Sequence, residues 1–261
     1  MVGERVDPAA GGEVCVCDIQ DVRVPQPTGG HQEPREAGLL TPGTLRMRGM
    51  DGTTLPHGEL TSMTTRRTRW QEAGQSGNFG RRFAELIASG EDVDGEARLA
   101  DTLLPRGARV LDAGAGMGRV AAALLRRGHD VVAIEPDEAL VRQARETYPG
   151  LPIEERDLLD LGPQDGPFDL VVCVGNVIVY LAEGTERRAL GAMRDVLGES
   201  GRILVGFHLQ DPPAHARTYP VEEFEADLAA VGLRVDLRAG TYQLHPANDA
   251  YGVWILSRAQ A

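Results

Sequence analysis

The chain is 261 residues long and 42% hydrophobic, enough to bury one substantial core, so a single domain with an appendage is the expected organisation. With 39 acidic against 27 basic residues the formal net charge is -12, which argues against holding extended nucleic acid by neutralising phosphates and leaves small-molecule or protein substrates as the default. Three cysteines, Cys15, Cys17 and Cys173, exclude a disulfide framework and a four-ligand zinc site, and no stretch approaches the roughly 20 apolar residues of a membrane span.

Residues 1–62 are rich in Gly, Pro, Glu and Thr without sustained periodicity, and are expected to form a disordered or weakly ordered leader. The opening residues lack a basic start followed by an apolar core, so no export signal is expected and the cytoplasm is the expected compartment. Cys15-Val-Cys17 is read as a chance pair within the leader, and no metal is expected. The composition changes at Met63, which is read as the functional start or the end of a dispensable leader. Residues 63–104 are expected to form a helical cap. Within it Arg66, Arg67, Arg69, Arg81 and Arg82 interleave with Trp70, Phe79 and Phe83. Two readings compete for this cluster: a lid over a cleft, or an amphipathic helix with solvated arginines, of which the second is preferred. Acidic residues from Glu91 then precede a helix carrying Leu99, Leu103 and Leu104.

From residue 105 strands and helices alternate, the pattern of a mostly parallel sheet covered on both faces. The first strand contains Val110 and Leu111 and leads through Asp112 to Gly114, Gly116 and Gly118. A helix follows over about 117–127, and the second strand, Val131 to Ile134, ends in Glu135. Ala139, Leu140, Val141 and Ala144 give the next helix its inner stripe, Leu151 to Asp157 holds the third strand, and Phe168 to Cys173 the fourth. Thr185 is expected to cap a helix with Leu190, Met193, Val196 and Leu197 on one face, ended by Gly198 and Gly201. Arg202 to Phe207 reads as the fifth strand. A helix with Phe224, Leu228 and Val231 stops at Gly232, after which Leu233, Val235 and Leu237 alternate with charged residues. A helix-free connection from Gly240 to the last strand, Tyr251 to Leu256, fits a hairpin.

Three glycines after a buried strand let a ligand approach backbone amides, and the helix beyond them aims unpaired N–H groups at the same point. Glu135, 23 positions after Asp112, is placed to accept hydrogen bonds from ribose hydroxyls. A dinucleotide fingerprint would put its third glycine at position 119, which is Arg here, and an acid at Asp112 would repel a pyrophosphate while suiting an ammonium and a sulfonium. The pattern Asp-x-Gly-x-Gly-x-Gly resembles the first motif of class I S-adenosylmethionine-dependent methyltransferases, and the similarity extends over about 90–258. The resemblance implies a Rossmann-like α/β fold: a seven-stranded mostly parallel sheet, helices on both faces, and an antiparallel last strand. It further implies S-adenosylmethionine as cofactor, bound by Asp112, Ala113, Gly114, Gly116, Gly118, Glu135 and Pro136, with Asp157 and the Leu158 backbone at the adenine and Gly175 near the transferred methyl. Ala115 and Met117 depart mildly from the commonest form of the motif.

The expected function is therefore methyl transfer to a small-molecule acceptor. A non-catalytic S-adenosylmethionine-binding protein is the alternative, and a nicotinamide-dependent oxidoreductase ranks third. His208, just beyond the fifth strand, is the best-placed candidate base, with His215, Tyr180, Tyr219 and Tyr242 behind it. Asn176 either orients a substrate or caps the short helix after the fourth strand. No Asn-Pro-Pro-Tyr or Asp-Pro-Pro-Tyr follows the fourth strand, which lowers the expectation of nucleic-acid amino methylation.

Overall fold

The computed structural model describes residues 67–74, 76, 83, 85, 86 and 89–259. The leader, Cys15, Cys17, Met63, Arg66, Phe79, Arg81 and Arg82 lie outside the described residues. Seven strands form one sheet: β1 (Arg109–Ala113), β2 (Asp130–Glu135), β3 (Ile153–Glu155), β4 (Phe168–Cys173), β5 (Leu197–His208), β6 (Leu233–Ala239) and β7 (Tyr251–Arg258). Their spatial order is β3-β2-β1-β4-β5-β7-β6. The first five pair in parallel, while β7 runs antiparallel to both β5 and β6, as the resemblance implied.

Successive strand residues point to opposite faces, and both faces of this sheet are buried. Leu111, Val171, Ile203, Val205 and Leu256 enter one core, which α6 (Glu186–Asp195) and α7 (Val221–Ala230) cover with Leu190, Met193, Phe224 and Leu228. Val110, Leu170, Val172, Leu204 and Ile255 enter the other, beneath α2 (Gly95–Thr102), α3 (Arg119–Arg126) and α4 (Glu138–Thr147). Trp254 lies fully buried in the first core, stacked on Phe207 at 4.8 Å and edge-on to Phe224 at 4.9 Å.

Two local expectations need correction. Gly198 and Gly201 do not end a helix: α6 stops at Asp195 and both glycines lie in β5, which starts at Leu197. The β4–β5 register shifts between Phe168 and Leu170, and a Cβ at Gly201 would come within 2.6 Å of the Phe168 carbonyl oxygen, so the glycine serves a strand irregularity. Thr185 stands at the N-cap of α6, but its hydroxyl donates backwards to the Ala182 carbonyl at 2.7 Å instead of capping. Val235 and Leu237, on edge strand β6 to either side of a register shift against β7, are both 37% exposed.

Two further helices set the mouth of the sheet. The four-residue α5 (Val177–Tyr180) follows β4 directly. Ahead of the sheet, α1 (Arg69–Ala73) starts in a capping box, in which the Thr68 hydroxyl accepts the Gln71 N–H and the Gln71 side chain accepts the Thr68 N–H.

Candidate functional site

Strand order reverses between β1 and β4, and a cleft opens at the carboxyl ends of these strands, where open α/β sheets receive ligands. It encloses about 960 Å³ of empty space, the open solvent at its mouth included. Asp112, Gly114, Gly116, Glu135, Pro136, Asp157, Leu158 and Gly175 all line it. Of the residues expected at a cofactor, Ala113 and Gly118 do not. Ala113 is fully buried within β1. Gly118 has φ +79°, and a Cβ there would meet Leu151 at 2.4 Å, so its missing side chain lets α3 pack closely and does not clear room for a ligand. At Gly114, with φ +81°, an added Cβ would meet Val177 at 2.5 Å, so the floor of the cleft is backbone closed by one valine.

Glu135 anchors the glycine loop. One carboxylate oxygen accepts the Gly116 N–H at 2.9 Å and the other the Asp137 N–H at 3.0 Å. A carboxylate has about four acceptor sites, so capacity remains for hydroxyl donors in the cleft. Burial pushes its pKa up to about 7 against the lowering effect of those two N–H groups. Asp112 is likewise pushed up to about 7 by burial, opposed by the Ala121 N–H, which it accepts at 2.9 Å, and by the charge of Arg119. One N–H of the first turn of α3 is thus already used by Asp112. Asp157, which also lines the cleft, caps a short 3-10 turn by accepting the Leu159 N–H at 2.9 Å. Two carboxylates at the first two strand ends, a third beyond β3, and a floor of glycine backbone fit a ribose and a cationic amino-acid chain. They do not fit a pyrophosphate.

Several lining residues went unassigned in the sequence. Arg119 is held bidentately by the buried Glu96 at 2.6 and 2.9 Å, lies over the Phe83 ring, and lines the cleft beside Met117. Its place directly after Gly118 was the available signal. Thr68 and Trp70 bring α1 to the cleft, and Val177, Tyr180 and Leu181 bring the chain after β4. Of the arginine cluster, Arg67 is exposed and Arg69 is partly buried. Arg69 donates to the Leu181 carbonyl at 2.5 Å and pairs with the buried Glu186 at 3.5 Å, so α1 sits as a lid.

Neither His208 nor Asn176 lines the cleft. The Asn176 side chain does not cap α5. Its amide oxygen accepts the His208 backbone N–H at 2.9 Å and lies 3.0 Å from His208 Nδ1, while its own N–H donates to Gly206. The two residues brace the end of β5 against the turn after β4. Tyr180 donates its hydroxyl to the Ala214 carbonyl, Tyr219 to Asp227, and Tyr242 pairs with Tyr251. His215 is exposed in the segment before α7. The buried Cys173 thiol is pushed up to about 12 by burial, which keeps it unreactive.

The chain is similar to known proteins. A family model described as a methyltransferase domain matches residues 110–201. The structure of a TehB-like S-adenosylmethionine-dependent methyltransferase from Corynebacterium glutamicum is similar with 32% identity and a TM-score of 0.64, over 71% of this chain and 99% of that one. A magnesium-protoporphyrin O-methyltransferase from Rhodobacter capsulatus is 37% identical over 91 residues, 33% of this chain and 39% of the relative. An uncharacterized methyltransferase from Oceanobacillus iheyensis is 28% identical over 98 residues, 38% of this chain and 46% of that protein. The chain thus spans less than half the length of these two curated relatives.

Proposed function

Because the chain belongs to the class I S-adenosylmethionine-dependent methyltransferase family, we propose that it transfers a methyl group from S-adenosylmethionine to a small-molecule acceptor bound in the same cleft. One observation carries the reading: Glu135, clamped by the Gly116 and Asp137 N–H groups, faces a glycine-floored cleft that also holds Asp112 and Asp157. The acidic net charge of -12 supports a small acceptor over nucleic acid.

When bound, S-adenosylmethionine would supply a methyl carbon activated by its positively charged sulfur, which becomes a neutral thioether leaving group when the methyl is taken by an acceptor lone pair. The protein is then left chiefly to align and desolvate, which contributes on the order of 7–11 kcal/mol in the best intramolecular analogues. Glu135 would hold the ribose hydroxyls, Asp112 would face the cationic chain, and Asp157 with the Leu158 backbone would bound the base. His208 and Asn176 enter this reading as the brace that fixes Gly175 and Val177.

Calorimetric titration of the full chain with S-adenosylmethionine and S-adenosylhomocysteine, with NADH as control, tests the cofactor. Binding of the first two alone is expected, and Glu135→Ala should weaken both by about 1–3 kcal/mol through lost charged hydrogen bonds. Binding of neither, or of NADH alone, overturns the reading.

A further inference from the structure

An arginine carries about five N–H donors on one rigid plane, and on Arg119 the structure engages only part of them. Glu96, its side chain 2% exposed, accepts one N–H from each terminal nitrogen at 2.6 and 2.9 Å, and the Val93 carbonyl accepts the second N–H of Nη1. The Phe83 ring covers the plane, 5.2 Å from the guanidinium carbon. The Nε–H and the second N–H of Nη2 remain; they leave one edge of the group in parallel, and no described residue accepts either. That edge is a second fork, fixed in place by the first. The side chain keeps 11% of its surface open and lines the cleft, where Arg119 is the one cation among the described lining residues. It opens α3 at one end of the glycine turn whose other end follows Asp112, and its charge reaches the Asp112 carboxyl. An acid and a guanidinium thus flank a single turn of backbone.

We propose that the second fork of Arg119 receives the carboxylate at the amino-acid end of S-adenosylmethionine, with Asp112 facing the ammonium borne on the same carbon. This rests on the cofactor reading above. A carboxylate gives up hydration to enter the cleft, and Asp112 would repel it. Two parallel charge-assisted N–H···O bonds offset both costs, in a planar geometry that arginine supplies and lysine does not. The pair Asp112 and Arg119 would then read an amino acid by both of its charges. Selectivity follows: an adenosine thioether whose chain ends in an amine alone should be bound poorly.

The test compares, by calorimetry on the full chain, S-adenosylhomocysteine with its decarboxylated analogue, which keeps the adenosine, the thioether and the ammonium. The unsubstituted chain is expected to bind the first at least about tenfold more tightly. Arg119→Lys leaves Glu96 a cation but removes the second fork, and should cut that ratio at least about threefold. Arg119→Gln combined with Glu96→Gln leaves no buried charge unpaired, and should bring the two affinities within about threefold of each other. Affinity for the decarboxylated analogue is expected to stay within about threefold of the unsubstituted chain in both variants, which shows that they fold with the rest of the cleft intact. A starting ratio below about threefold, or a ratio that survives in a variant still binding the analogue, overturns this inference alone. Parallel loss of both ligands in Arg119→Lys assigns Arg119 to the fold instead and overturns it as well. Failure of the unsubstituted chain to bind S-adenosylhomocysteine overturns the cofactor reading and this inference with it.

Discussion

Glu135 answers two opposed demands, since it must be buried to anchor the glycine loop and charged to accept a sugar. Burial raises its carboxyl from an ordinary value of 4.5 to about 7. A raised acid favours the protonated folded state, so this contribution to stability is complete below about pH 4.5 and is lost as pH rises through 7. Replacing Glu135 with Gln should remove that component and flatten the stability profile between about pH 4.5 and 7, a change of up to ~3 kcal/mol across the window. Chemical denaturation of both proteins at several pH values measures it; parallel profiles would contradict the assignment. Asp112, raised to a similar value, leaves a residual slope in the variant. At this scale the sequence was informative wherever a role depends on spacing within one strand–turn–helix unit, as for Asp112, Gly114, Gly116 and Glu135. It was uninformative where the partner comes from afar. Gly118 is glycine because Leu151 sits over it, and Asn176 is tied to His208, 32 residues on; neither contact leaves a trace in local pattern.

Helix α1 has five residues, too short to persist alone, and its place comes from side chains that reach other elements. Gln71 closes the capping box and also donates to the Pro136 carbonyl at 2.9 Å, while Ser76 reaches Asp137, the N-cap of α4. Arg69 fastens the opposite side to Leu181 and Glu186. Arg69→Ala should therefore free α1 and leave the sheet intact, because Glu186 keeps Arg217. The expected global cost is about 1–2 kcal/mol, with amide exchange in 70–73 accelerated about tenfold or more and exchange in β1 and β4 unchanged. Uniform acceleration across the molecule would show that the contact is not local. The spacing Thr68-x-x-Gln71 is a helix-start signature readable in the sequence, whereas the pairing of Arg69 with a residue 117 positions away is not. The same distinction applies to β6, whose alternating pattern was legible while the register shift between Val235 and Leu237 depends on its partner β7.

Across the whole molecule, the two cores meet through a sheet whose fold class was readable from the alternation of apolar strands and helical stripes. The order of its last three strands was implied by resemblance, since pattern alone does not say which edge β7 joins. Trp254 shows how much depends on that placement. Buried against Phe207 and Phe224, it is expected to cost about 3–5 kcal/mol on replacement by Ala, measured as a loss in unfolding free energy with unchanged denaturant sensitivity. A cost below about 1 kcal/mol would mean that the aromatic cluster repacks. The insertion of β7 between β5 and β6 also imposes a timetable on synthesis. Both neighbours leave the ribosome first, and until residues 251–258 follow, each lacks the strand with which its backbone groups along that edge pair. The newborn chain is therefore most open to strand-to-strand capture by other chains, or to a chaperone, in the interval before that last insertion, and codon choice along 209–250 sets how long the interval lasts.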